Sequence, residues 1–106
     1  MPKYLVQASY TNEGVKGLLK DGGTKRRAAV EAVMKELGGR VEAFYFAFGD
    51  TDAIIIIDGP DNVTAAAVSL TVNASGAVAT RTTPLLTPEE IDQATRKTVS
   101  YHAPGR

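Results

Sequence analysis

The sequence predicts an α+β domain in which one four-stranded antiparallel sheet carries its helices on a single face. Three observations lead there. Strand-like alternation over residues 3–10 gives way to helical periodicity and then returns along the chain, each change marked by glycine, proline or aspartate. The length, 106 residues, suits a single domain (residues 1–106) with one core. A composition of 43% hydrophobic and 23% charged residues is that of a packed chain, not of a disordered or fibrous one.

Residues 3–10 place Tyr4, Val6, Ala8 and Tyr10 on one face and Leu5, Gln7 and Ser9 on the other, the period of a half-buried strand. From Thr11 or Asn12, either of which can cap, Val15, Leu18 and Leu19 share a helical face until Gly22-Gly23 interrupts it. Thr24 then caps a second helical segment with the stripe Ala29, Val30, Val33, Met34 and Leu37, stopped by Gly38-Gly39. Residues 40–48 read as a strand with Val41, Ala43, Tyr45 and Ala47 on one side and Phe44, Phe46 and Phe48 on the other. A tight Gly49-Asp50-Thr51 connection joins it as a hairpin to Asp52-Ala53-Ile54-Ile55-Ile56-Ile57.

Pro60, with Asp58 or Asp61 nearby, opens an Ala-rich helix over residues 63–72 that Ser75-Gly76 closes. Residues 77–86, rich in Val and Thr, form the fourth strand. Thr87-Pro88-Glu89-Glu90 starts a final helix to about Lys97: a Thr cap, Pro at the first helical position and acids that complement the dipole. Residues 98–106 are expected to form a loosely held tail. The order strand, broken helix, strand, strand, helix, strand, helix is the split βαβ arrangement called ferredoxin-like.

A sheet covered on one side should be polar on the other, yet the third strand offers four consecutive isoleucines and the second is apolar on both sides. At roughly 1.5–3 kcal/mol per fully buried large apolar side chain, leaving several in water forfeits much of a marginal stability. Residues 98–106 are too polar to cover that face, so a second copy of the chain is expected there, making the protein a homo-oligomer.

Twelve basic and twelve acidic residues cancel, which removes the positive field that captures phosphate backbones, so no nucleic acid is expected as partner. No signal-peptide core and no run of membrane-spanning length occurs, so export and membrane insertion are not expected. The lack of cysteine excludes disulfides, thiolate metal sites and a cysteine nucleophile, and it fits a reducing cytoplasm. The single histidine, His102, falls in the tail, and no Gly-x-Ser-x-Gly elbow occurs, which argues against metal binding and serine hydrolase chemistry. No cofactor is called for. The sequons at Asn62 and Asn73 lie in or beside helices and are read as chance.

Lys3-Tyr4-Leu5-Val6, Ser9-Tyr10-Thr11, Gly14-Val15-Lys16-Gly17-Leu18-Leu19, Gly22-Gly23-Thr24, Arg26-Arg27-Ala28-Ala29-Val30, Phe44-Tyr45-Phe46, Gly49-Asp50, Pro60-Asp61-Asn62 and Thr82-Thr83 to Glu90 together resemble the GYD-domain family of small bacterial proteins. The likeness runs to about residue 95. It implies a ferredoxin-like subunit of the dimeric α/β-barrel type, whose relatives hold aromatic or lactone substrates in pockets, and it implies no particular activity. One position departs: Thr51 stands where the family's Gly-Tyr-Asp element has tyrosine.

Gly22-Gly23-Thr24-Lys25-Arg26-Arg27 puts three cations in the first turn of a helix, where acids are normally preferred. Such a turn can bind a carboxylate or phosphate, or its side chains can splay into solvent or meet acids of a neighbouring subunit. Asp50 and Asp52 flank the hairpin turn, as ordinary turn-formers or as a coupled acidic pair. Tyr10 and Tyr45 fill the core or present hydroxyls to a ligand, and Arg81, among threonines, needs an anion if it points inward. The expected ligand set is therefore Tyr10, Arg26, Arg27, Tyr45 and Arg81, around a small organic ligand, anions included, between sheet and helices. The alternative is a non-catalytic assembly module with no ligand.

Overall fold

The computed structural model describes residues 1–106, in the order β1 (Lys3–Tyr10), α1 (Asn12–Asp21), α2 (Gly23–Glu36), β2 (Arg40–Phe46), β3 (Ala53–Asp58), α3 (Asn62–Ala74), β4 (Val78–Leu85) and α4 (Pro88–Thr95). The strands pair antiparallel in the spatial order β2-β3-β1-β4, so the two helical crossovers each return to a strand beyond the nearest neighbour. This is the ferredoxin-like sandwich.

The sheet is open. Strands β2 and β4 are free edges, and four strands are about half of what a small closed barrel needs. The dimeric α/β-barrel expected from the family resemblance is thus corrected by the topology: the chain forms a flat-sided sandwich and closes no barrel.

Alternation assigns the core face of β1 as read from the sequence: Tyr4 and Ala8 are buried, with Val6 and Tyr10 half-buried beside them. Ile55 and Ile57 of β3 join Tyr4, Met34 and Ala65 in the main core cluster, while Ala8, Ala53 and Val78 make a second. Strand β2 departs from simple alternation. A bulge between Val41 and Ala43 pairs Val41 with Ile57 but Ala43 with Ile56. Val41 therefore shares the helix-side face with Phe44, not with Ala43 and Tyr45 as strict alternation predicts.

Capping explains most helix boundaries. Thr11 accepts from the Gly14 amide, Asp61 from Thr64, and Thr87 forms a full capping box with Glu90. The start of α2 is different from the expectation. Gly22, at φ +80°, ends α1 and caps α2 at once, without a side-chain bond, so Thr24 lies inside the helix instead of capping it. The stripe expected on α2 is only partly used: Met34 is buried, while Val33 and Leu37 stay exposed.

Asp58 does not serve as a helix cap. It ends β3 on the helix-free side of the sheet, opposite Lys3 on β1 and Arg40 on β2. Its side chain, 7% exposed, accepts from Lys3 Nζ and Arg40 Nε, each at 2.7 Å, and Lys3 also reaches Glu42 at 2.9 Å. The Lys3 bond holds the Asp58 carboxyl below the usual carboxylate range against the opposing effect of burial, with Arg40 adding to it. Bonds to Asp58 and Glu42 in turn raise the Lys3 ammonium above its ordinary value.

Candidate functional site

Between the sheet and helices α2 and α3 lies an apolar cavity of about 70 Å³. Its floor is Val6 and Ala8 of β1, with Ile55 and Ile57 of β3; Met34 and Phe44 close one side and Val68 and Val72 the other. Asn73 fixes the α3 wall to β4. Its Nδ2 donates to the Ser69 carbonyl at 2.6 Å and to Thr80 Oγ1 at 2.9 Å, and its Oδ1 accepts from the Thr80 amide at 2.8 Å. The side chain of one sequon asparagine is thus committed to the fold.

A second, more polar cavity of about 310 Å³ adjoins the first, with Tyr10, Arg26 and Val78 lining both. Helix α1 forms its wall through Glu13, Gly14, Gly17, Leu18 and Asp21. Most of these recur at helical spacing, and the two glycines leave the groove open. Asp21 meets the exposed Lys25 at 3.5 Å, whereas Glu13 forms no ion pair.

Arg26 is half-buried at the shared wall. The ion pairs of the chain engage Lys3, Lys25, Arg27 and Arg40, and none engages Arg26, so no carboxylate lies within 4 Å of its guanidinium.

The remaining residues of the expected ligand set lie elsewhere. Arg27 points to the outer side of α2, 3.8 Å from Glu31, beside a shallow depression bordered by Phe44 and Phe46. Tyr45 and Arg81 occupy the helix-free face, in one row across the sheet: Tyr45 pairs with Ile54, Ile54 with Gln7, and Gln7 with Arg81. Tyr45 is 70% exposed there. Arg81 reaches Thr51 Oγ1 in a long 3.4 Å contact, so the residue at the family's tyrosine position faces a cation. The aspartates of the hairpin also separate: Asp52 accepts from the Tyr10 amide at 2.8 Å, extending the β1–β3 ladder by a side chain, while the Asp50 backbone carbonyl lies 3.4 Å from the Ser9 hydroxyl.

Sequence reasoning missed Glu13, Gly14, Gly17 and Asp21 as cavity wall. The spacing of Gly17, Leu18 and Asp21, three, four and seven residues from Gly14, was the available signal, masked by the apolar stripe of Val15, Leu18 and Leu19. No helix is long and apolar enough to cross a membrane.

No curated protein and no solved structure matches the chain. The GYD domain family does, over residues 4–95, a span that includes β1 from its second residue, the other three strands, both crossovers and both cavities. The chain belongs to the GYD-domain family.

Proposed function

We propose that this chain binds a small anionic organic molecule between sheet and helices, the apolar part in the inner cavity and the charge against Arg26. The observation that supports this reading is Arg26, a half-buried residue without a protein counter-ion that lines the apolar cavity. A ligand carboxylate would supply the missing charge through a charge-assisted bond of about 1.5–3 kcal/mol. The inner cavity, about 70 Å³, lies well below the roughly 300–1,000 Å³ of drug-sized sites, so the buried part of the ligand is small. The test is native mass spectrometry of freshly purified protein followed by thermal-shift titration with short carboxylates. R26Q should abolish binding and R27Q should preserve it, because Arg27 lies outside both cavities. Equal affinity in R26Q and the unaltered protein would remove the reading.

Self-association is the second reading, supported by surface area. A monomer of 11.2 kDa should expose about 5,700 Å² by the usual mass scaling, whereas this chain exposes 7697 Å². The surplus of about 2,000 Å² per chain, about 4,000 Å² for two, falls in the roughly 2,000–5,000 Å² range of obligate interfaces. Its radius of gyration, 16.9 Å, likewise exceeds the roughly 13 Å of a compact chain of this length. Tyr45, Ile54 and Phe48 on and beside the open sheet face contribute, as do the exposed α4 and the tail, in which only Ala103 is half-buried. A homo-oligomer is therefore expected in sedimentation at micromolar concentration. A folded monomer across the concentration range would refute it.

A further inference from the structure

Helix α3 is apolar on two opposite sides. Ala65, Val68 and Val72 face inward, Ala65 buried and the two valines half-buried. On the opposite side Val63, Ala67, Leu70 and Ala74 form a second stripe, and all four are exposed, Val63 by 80% and Leu70 by 73%. None of the 13 residues of the helix is charged, in a chain of which 23% is charged. A helix hydrophobic all round is normally buried all round. The tail of the chain does not cover this side, since Val63 and Leu70 stay open. A lipid surface does not suit it either, because helices that lie on membranes carry a Lys/Arg-rich polar face and α3 has no cation.

The outer stripe fits a second copy of itself. Its steps of four, three and four residues are those of a coiled-coil seam, and along it large and small side chains alternate. In an antiparallel pair, facing positions keep a constant sum of residue numbers. The register that sets Val63 against Ala74 of the partner subunit therefore also sets Leu70 against Ala67 of the partner subunit. Each large side chain then meets a small one, and the alanines let the two backbones approach. A parallel pair would instead stack valine on valine and leucine on leucine, with gaps at the alanine layers. The positions flanking the seam, Thr64, Ala66, Thr71 and Asn73, are uncharged, so no like charges meet. Antiparallel packing also brings each helix N-terminus, with its partial positive charge, near the partner's C-terminus. A patch that complements itself in this way is what a two-fold contact needs. We propose, on the reading that the chain self-associates, that a second copy packs its α3 antiparallel on this one, with Val63 over Ala74 and Leu70 over Ala67.

The test is sedimentation of the full-length protein beside Leu70→Glu, which changes an exposed side chain and should stay folded by circular dichroism. A charge in the seam should raise the dimer dissociation constant by about tenfold or more. The register is tested without added charge, on a background free of cysteine. Val63→Cys and Ala74→Cys are oxidised separately and as a mixture. The mixture should form a disulfide-linked dimer and neither variant alone should, because a disulfide needs Cα atoms within about 7 Å and eleven residues of helix span about 16 Å. If Leu70→Glu dimerises as tightly as the unaltered protein, the α3 contact falls and self-association stands on another surface. Self-linking of Val63→Cys, or no linking in the mixture, would overturn the antiparallel register. Co-sedimentation with phosphatidylcholine–phosphatidylserine vesicles that is lost in Leu70→Glu would assign the face to lipid and overturn the proposal. An unaltered protein that stays monomeric at every concentration would remove both the contact and the self-association reading.

Discussion

Replacing Gly14 with alanine should destabilise the protein, whereas replacing Gly17, one turn further along the same helix, should stabilise it. Helix propensity favours alanine at both sites by about 0.5–1 kcal/mol. Packing separates them. A Cβ on Gly14 would run into the backbone carbonyl of Ala77 and crowd the Tyr10 ring at 3.0 Å, while one on Gly17 would meet nothing within 4 Å. The obstacle at Gly14 is backbone, and it cannot turn aside. That same Ala77 carbonyl accepts from the Thr11 amide at 3.0 Å and the Thr11 hydroxyl at 3.2 Å, so pushing it away loosens the start of α1. Overpacking costs about 1–3 kcal/mol and a disturbed cap about 1 kcal/mol more, against which the propensity gain is small. The net loss should be about 1–3 kcal/mol for G14A, set against a gain of up to about 1 kcal/mol for G17A. With a urea slope of about 1–3 kcal/mol per molar, the midpoints should move apart by on the order of 1 M, at one fixed protein concentration. A G14A protein as stable as G17A would show that α1 does not press on the loop before β4 and that the close approach is not real.

Two further outcomes follow from buried polar groups. Stability should fall on both sides of neutrality through the Asp58 cluster. Asp58 has a folded-state pKa below its ordinary 3.8, so its contribution is present above about pH 4 and is lost as pH falls through the lowered value. Lys3 has one raised above 10.5, so its contribution is present below that pH and is lost as pH rises through the raised value. Asp58→Asn should flatten both limbs in urea melts across pH, although Asp61, lowered by its Thr64 amide bond, keeps part of the acid limb; an unchanged alkaline limb would refute the pairing. Tyr4→Phe should cost about 1 kcal/mol, because it removes the 2.6 Å bond to Asn62 Oδ1 while Asn62 can turn to water. A loss above about 3 kcal/mol would mean that the ring, only 1% exposed, had itself moved.

Much of the fold was legible because local signals agree with one another. Thr11, Asp61 and Thr87 cap where a hydroxyl or carboxylate precedes a helical run, and Tyr4, Val6, Ala8 and Tyr10 alternate without interruption. What stayed hidden depends on register. The bulge at Val41 and Ala43 inserts one residue into β2 and turns Val41 inward, and nothing in the composition of Arg40-Val41-Glu42-Ala43 announces it. The Asp58 cluster is invisible for the same reason. Lys3, Arg40 and Asp58 lie far apart in sequence and meet only because Lys3 pairs with Asp58 and Arg40 pairs with it from the other side. The barrel expectation came from resemblance and failed on topology, since closure depends on strand number and edges, which a single chain's motifs do not encode.

The candidate site shows how far residue type alone can carry an argument. Tyr10, Arg26, Arg27, Tyr45 and Arg81 were grouped because tyrosine hydroxyls can donate to a ligand and cations can recognise anions, a criterion blind to the two-residue period of a sheet. Parity separates them. Tyr10 pairs with Val78, which is buried beneath the helices, so Tyr10 faces the cavities. Arg81, an odd number of residues from Val78, must face the other way. There its charge is hydrated and needs no buried partner, which is why a single long contact with Thr51 suffices. Arg26 is half-buried and lines both cavities. It enters the sandwich from a helix whose preceding residue, Lys25, and following residue, Arg27, both project outward to acids one turn away. Of three consecutive cations, the helix turn directs one inward, and the acids of the chain answer the other two.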